Sequence, residues 1–187
     1  MPASPLPAWQ KTGAVQHADC RIFTVEKERW EHPGGVKKGE FYVLHCPGWV
    51  NVLARTEAGK LVMVRQFRFG TRDFSLEIPG GVMEEGENPL LTGARELLEE
   101  TGYAGDEPRL LGQVHPNPAI QNNQCHIVFI DRVKKVAEVA WDGNEEMDVC
   151  EMSVDEVITA ALTGKITHAL VLNGLFFLQN LPVPPGR

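Results

Sequence analysis

No apolar run in this 187-residue chain approaches the roughly 20 residues that a helix needs to cross a bilayer. The opening MPASPLPAWQKTG lacks the apolar centre of a secretory signal, so a membrane partner is not expected and a cytoplasmic location is. Cysteine is sparse. Cys20, Cys46, Cys125 and Cys150 show no paired metal-type spacing, which reads as free thiols in a reducing compartment rather than a disulfide framework. Positive charge is short as well: 18 Lys and Arg against 25 Asp and Glu give a net charge of −7 and a pI near 5.4. That balance argues against a nucleic-acid partner, whose phosphate backbone wants a basic surface, and is compatible with a small anionic substrate bridged by metal. There are no internal repeats, and no biased segment beyond the Pro-rich tail PVPPGR.

What is present suffices for one globular domain, since 43% hydrophobic residues in a chain of this length can bury a sizeable core. Residues 1–17 are Pro-, Ala- and polar-rich and read as a frayed or extended arm. From Cys20 short alternating runs begin. CRIFTVEKERWEH and GEFYVLHC form a probable hairpin across Pro33-Gly34-Gly35, and WVNVLART and KLVMVRQFR form another across Glu57-Ala58-Gly59. FSLEIPGG is a short strand, and RLLGQVHPN, CHIVFIDRVKKV and MDVCEMSV are strand-like by β-branched content and alternation. Ser153 with Glu156 reads as a capping box opening a helix to about Leu162, Gly164 ends it, and Thr167 to Gln179 reads as a last amphipathic helix. Mixed strands with helices predict an α+β sandwich of helix, sheet and helix.

The most informative stretch is Gly81 to Tyr103, GVMEEGENPLLTGARELLEETGY. Asn88 suits an N-cap, Pro89 the first helical position, and Gly102 the left-handed position past the end. Leu90, Leu91, Ala94, Leu97 and Leu98 supply an apolar stripe to anchor the helix. Glu96 and Glu100 lie four apart and share a face, while Arg95 and Glu99 form a second pair at the same spacing. Like charges gathered on one face are unfavourable unless a cation neutralises them, and oxygen ligands of this type suit Mg²⁺ or Mn²⁺. A solvated acidic face is the plainer reading of an isolated ELLEE. The upstream glycines and Glu87 shift the balance toward the metal.

The stretch resembles the box of the Nudix hydrolase family: Gly, five residues, Glu, seven residues, Arg-Glu, an aliphatic, any residue, Glu-Glu, any residue, Gly, an aliphatic. Gly81, Glu87, Arg95, Glu96, Leu97, Glu99, Glu100 and Gly102 fall on this pattern. Tyr103 departs from it, with an aromatic in the aliphatic place that keeps the packing role. The resemblance implies a Nudix-type α/β/α sandwich with a mixed sheet and an N-terminal β-hairpin extension. It divides the chain into an arm (1–17), an extension (18–46) and a Nudix hydrolase domain (47–187). It implies metal ligation, Mg²⁺ with Mn²⁺ possible, by Glu96, Glu99, Glu100 and the carbonyl of Gly80. Arg95 would orient Glu99, and Gly81, Glu87 and Gly102 would support the box. VRQFR followed by LEIPGG is similar to the ADP-ribose and nucleoside-diphosphate-sugar pyrophosphatase branch, in which Arg68 and Glu77 would contact substrate or support the site.

Arg65 is a further substrate candidate at the same strand end, because Arg forks suit phosphate oxygens. Pro118 sits near where that branch tends to carry a proline, although proline in a loop is common for turn geometry alone. The acidic run DGNEEMD, Asp142 to Asp148, reads plainly as a solvated turn. In the resembling branch a loop here supplies the catalytic base, making Glu145 or Glu146 the candidate, with a slight lean to Glu146. The branch also uses the N-terminal portion to pair across a two-fold axis, which implies a homodimer. Trp30 and Trp49 then become base-stacking candidates, although Trp49 in an apolar strand reads better as core. His115 and His126 read as structural or merely exposed. The expected reaction is hydrolysis of an ADP-ribose or nucleotide-sugar diphosphate bond. Housecleaning of nucleoside triphosphates, removal of RNA 5′-pyrophosphate, and a non-catalytic ligand sensor are the competing readings; the unbroken box weighs against the last.

Overall fold

The computed structural model describes residues 6–141, 146–179 and 181 of the chain. Two compact units emerge. The first comprises residues 1–47 with 117–123, and the second 48–116 with 124–187.

The first unit is a three-stranded antiparallel sheet in the order β1 (Gln10–Asp19), β2 (Thr24–Glu31), β3 (Lys38–His45). The β2–β3 hairpin is the expected one, its turn passing through Gly34 and Gly35 at positive φ. The stretch 1–17, expected as a frayed or extended arm, instead enters a strand at Gln10 and pairs with β2 from Gln10↔Glu31 to Asp19↔Thr24. Nearly every residue of β1 is exposed, and two register shifts interrupt its pairing. A strand buried on neither face has no hydrophobic alternation to betray it. Segment 117–123 belongs to the same unit. The Leu44 N–H donates to the Ile120 carbonyl at 2.8 Å, and Asn122 accepts from the Cys46 N–H at 3.1 Å through its side-chain oxygen.

The second unit holds an eight-stranded mixed sheet. Its elements in chain order are β4 (Trp49–Thr56), β5 (Lys60–Arg68), β6 (Asp73–Glu77), β7 (Gly80–Val82), α1 (Pro89–Thr101), β8 (Tyr103–Ala104), β9 (Arg109–Val114), β10 (Cys125–Lys135), β11 (Met147–Ser153), α2 (Val154–Leu162) and α3 (Ala169–Gln179). The main path runs β11-β5-β4-β10-β8, with β6 on β5, β7 on β4 and β9 on β10. Among the described strands of this sheet, β4 and β10 alone pair in parallel. The central strands are covered on both faces, so they read as continuous apolar runs. Leu53, Leu61, Met63, Ile127 and Phe129 pack with Val157 of α2 and Val171, Leu175 and Leu178 of α3. Their neighbours Val50, Val52, Ala54, Val62, Val128 and Ile130 pack with Leu97 of α1. The period of two thus sorts one strand set into two cores, with α1 on one side and α2 and α3 on the other. The expected α+β sandwich is the one observed. α2 carries the expected capping box, Ser153 accepting from the Glu156 N–H while the Glu156 carboxylate takes the Ser153 N–H.

Candidate active site

The helix α1 is built locally as its sequence dictates. The Asn88 side-chain oxygen accepts the Leu90 N–H at 2.8 Å, Pro89 opens the first turn, and Gly102 closes it at φ 74° with its N–H on the Leu98 carbonyl. A side-chain carbon at Gly102 would lie 2.2 Å from the Ala137 carbonyl oxygen, so glycine is needed there for space as well as for φ. Gly93 brings the helix close to the sheet: a carbon there would meet Val128 at 3.2 Å. This close seat holds Glu100, only 4% exposed, at the sheet.

Two of the helix carboxylates, Glu96 and Glu100, reach the β7 residues Gly80 and Gly81. Glu100 accepts the Gly80 N–H at 2.9 Å. The Glu96 carboxylate lies where a side chain of residue 81 would be, because a carbon on Gly81 would stand 2.4 Å from it. A carbon on Gly80 would collide with the Val50 carbonyl at 2.2 Å, so β7 runs flush against its partner β4. Arg95 is the local counter-charge. Its guanidinium contacts Glu99 at 2.8 Å, Glu96 at 3.0 Å and Glu87 at 3.5 Å. Partial burial works against its charge, but Glu96, Glu99 and Glu87 together outweigh that and raise its pKa above the ordinary guanidinium value. Glu87 in turn caps the Glu84 N–H at 3.0 Å, and that backbone bond, with Arg95 nearby, lowers its pKa. The donor set around Gly80 and Gly81 is all oxygen, with two carboxylates on one helix face. One arginine against four glutamates leaves the cluster acidic, so the residues fit a hard divalent cation.

A second grouping stands at the strand ends upstream. Arg68 grips Glu77 with two parallel bonds, Nε to Oε1 at 2.8 Å and Nη2 to Oε2 at 2.7 Å. Burial alone would raise the pKa of Glu77, which is 3% exposed. Arg68 reverses the sign and holds it below the ordinary carboxylate value. Behind the pair stands His168, Nε2 3.8 Å from Glu77, its pKa lowered by burial against the pull of Glu77. Arg65 stacks over Phe74 at 4.3 Å and reaches Asp148 at 3.3 Å. An open cleft of about 1340 Å³ is lined by Arg65, Arg68, Phe74, Glu146, His168 and Trp49, among others. Glu96, Glu99 and Glu100 are not in its lining. The helix carboxylates and this cleft are therefore separate features of the second unit. The two groupings are joined covalently, since Glu77 precedes Gly80, the first residue of β7, by three residues.

The sequence profile described as NUDIX domain matches residues 47–173. The chain belongs to the NUDIX family. Among its relatives, the ADP-ribose pyrophosphatase of Bacillus subtilis (strain 168) is 29% identical over 160 residues, covering 85% of this chain and 86% of that protein. The methanol dehydrogenase activator of Bacillus methanolicus is 31% identical over the same length and coverage. A crystal structure of an ADP compounds hydrolase superposes with a TM-score of 0.82 over 95% of both chains at 19% identity, a likeness of fold.

The Nudix box residues named from sequence come together: Glu96 and Glu100 at Gly81 and Gly80, Glu87, Glu96 and Glu99 on Arg95, and Gly102 as the cap. Arg65, Arg68 and Glu146 meet at the cleft, Glu77 holding Arg68 in place. Glu145 lies outside the described residues. Trp30 and Pro118 belong to the first unit. Trp30 has its indole N–H on Glu28 at 2.8 Å. Trp49 packs on the core, as its apolar strand suggests, and also lines the cleft. Its N–H goes to Asn51, a buried polar residue beside Gly80 that sequence reading passed over, although an Asn inside WVNVLA was a visible signal.

Among the described residues the tightest grouping of ligand-type atoms lies elsewhere, at Glu26, Glu28 and His45 of the first sheet. There Lys11 already pairs with both glutamates and Asn122 bonds His45 Nδ1, so each of the three already has a partner within the protein.

Proposed function

We propose that this chain hydrolyses the diphosphate bond of ADP-ribose or another nucleoside diphosphate sugar, giving a nucleoside monophosphate and a sugar phosphate. The observation that carries the reading is the unbroken box folded onto Gly80 and Gly81 of β7, with the Arg68–Glu77 fork three residues before it. The pyrophosphatase name of the Bacillus subtilis relative supports the substrate class. Glu96, Glu100 and Glu99, with the Gly80 carbonyl, would hold the divalent cation, magnesium or in its place manganese. When bound, it supplies neutralisation of phosphoryl oxygens and a lowered pKa for an attacking water. Arg95 keeps the carboxylates spaced and oriented through its three contacts. Arg68, aimed by Glu77, and Arg65, over the Phe74 ring, bind phosphate oxygens from the cleft side. Glu146, or its neighbour Glu145, takes the proton of the attacking water.

In this reading residues 47–187 carry the chemistry, while 18–46 serve a homodimer in which Trp30 walls the base site, Pro118 also lying toward substrate. No helix among the described residues is long and apolar enough to cross a membrane. The four free thiols fit a reducing cytoplasm.

The test is product analysis with Mg²⁺, and separately with Mn²⁺, on ADP-ribose, nucleotide sugars, nucleoside triphosphates and 5′-triphosphorylated RNA. Release of a monophosphate from the sugar diphosphates is expected. Turnover of triphosphates or RNA alone overturns the substrate assignment. Side by side, Glu146→Gln should lower kcat about 10²-fold or more, and Glu145→Gln only a few-fold. Full activity in both would move the base into the box.

A further inference from the structure

The last turn of α1 has an unusual electrostatic problem. The final four carbonyls of a helix lack partners within it, and its C-terminus carries partial negative charge. Lys, Arg or His commonly answers this need, yet the last turn of α1 has no basic residue. It bears Glu99 and Glu100 instead, two of the carboxylates assigned to the metal. Donors must come from elsewhere, and they come from the segment that follows β10. The Ala140 N–H donates to the Glu99 carbonyl at 2.9 Å, and the Trp141 indole N–H donates to the Glu100 carbonyl at 2.9 Å. The Val136 and Ala137 N–H groups both donate to the Gly102 carbonyl, at 2.8 and 3.1 Å. Residues 136–141 thus form a strap across the end of the helix. The half-buried Trp141 is the last fastening of this strap.

We propose that Trp141 is a positioning residue of the hydrolase. Through the Glu100 backbone it fixes where the Glu100 and Glu99 carboxylates stand. The inference rests on the reading of the box as a metal site. Its reach is short and physical: the bond is made at the backbone of a residue whose own side chain is held at the Gly80 N–H. A helix end that shifts a few tenths of an ångström carries that carboxylate with it. Removing the indole donor takes one bond from the Glu100 carbonyl and loosens the strap at that point.

Trp141→Phe keeps an aromatic ring and deletes the donor. Mn²⁺ affinity is read by electron paramagnetic resonance on the substrate-free protein, alongside kcat and KM at saturating Mg²⁺ and the thermal midpoint. The variant should bind Mn²⁺ about 3- to 10-fold more weakly and lose kcat by a similar factor, with substrate KM within twofold. A fall in thermal midpoint with unchanged Mn²⁺ affinity and kcat would mark Trp141 as packing alone and overturn the proposal. In parallel, the wild-type indole N–H signal of Trp141, assigned by elimination through Phe substitutions at Trp9, Trp30 and Trp49, should move on Mg²⁺ titration. A stationary signal overturns the proposal even if Trp141→Phe fails to fold. Absence of Mn²⁺ binding by the wild-type chain would overturn the reading of the site itself, and this inference with it.

Discussion

Glu100→Gln should reduce kcat/KM by about 10³-fold or more, roughly 4 kcal/mol of transition-state stabilisation, while the protein stays folded. The substitution is nearly isosteric, and the amide oxygen can still accept the Gly80 N–H that the carboxylate accepts at 2.9 Å. The backbone around Gly80 therefore has no reason to move. What is lost is one negative charge from a cluster in which Glu87, Glu96 and Glu99 already share Arg95. Without metal, that loss relieves repulsion, so the variant should be as stable as the wild type or slightly more so. With metal the order reverses. A ligand at 100 times its dissociation constant stabilises by about 2.7 kcal/mol, which for a chain of this length is a rise of about 5–10 °C in Tm. Wild-type protein should show that rise between EDTA and saturating Mg²⁺, and Glu100→Gln should show little of it. A folded variant with wild-type turnover and an undiminished Mg²⁺ shift would remove Glu100 from the metal site.

The parts of this site that could be read from sequence are those whose causes are local. Asn88, Pro89 and Gly102 set the helix ends through their own backbone preferences, and Ser153 with Glu156 does the same for α2. The spacing of Arg95 and Glu99 foretold their contact. It did not foretell Arg95 reaching Glu96, because adjacent positions on a helix do not face each other and only a long side chain can bend back. Contacts made across the chain stayed hidden. Arg68 and Glu77 could each be named, but the two-bond fork between them depends on the β5–β6 pairing, which sets Arg68 opposite Asp73 and Val64 opposite Glu77. Trp141 meets Glu100 over a separation of 41 residues and gives no periodic signal. The strand β1 was missed for a different reason: its polar, exposed face lacks the alternation that sequence reading relies on. Local propensity fixed the helix that carries the carboxylates, and tertiary packing fixed what those carboxylates touch.

Arg68→Ala should be the most destabilising single change near the site, and its cost should depend on pH in a direction that identifies the cause. Arg68 is one-third exposed, whereas Glu77 is 4% exposed by side chain, so removal of the arginine strands a buried carboxylate. Breaking a buried pair in this way costs about 3–5 kcal/mol, and the partial exposure of Arg68 favours the lower end. In the wild type the Glu77 pKa is depressed below its unfolded value. Its contribution is therefore present above the unfolded pKa and lost as pH falls through the folded one. Without Arg68, burial governs and lifts the pKa above the unfolded value. The variant is then best off at low pH and loses stability as pH rises through the lifted pKa. His168, 3.8 Å from Glu77, acts in the same sense, since loss of the nearby guanidinium favours its protonation. Urea titrations of both proteins from pH 4.5 to 8 should show the deficit of Arg68→Ala largest at the alkaline end and shrinking toward pH 4.5. In Arg68→Ala/Glu77→Gln the charge is gone, so much of the stability should return while turnover stays low, because the phosphate-binding guanidinium is still missing. A deficit that does not vary with pH would mean that Glu77 is not the stranded charge, and that Arg68 stabilises the strand end by packing alone.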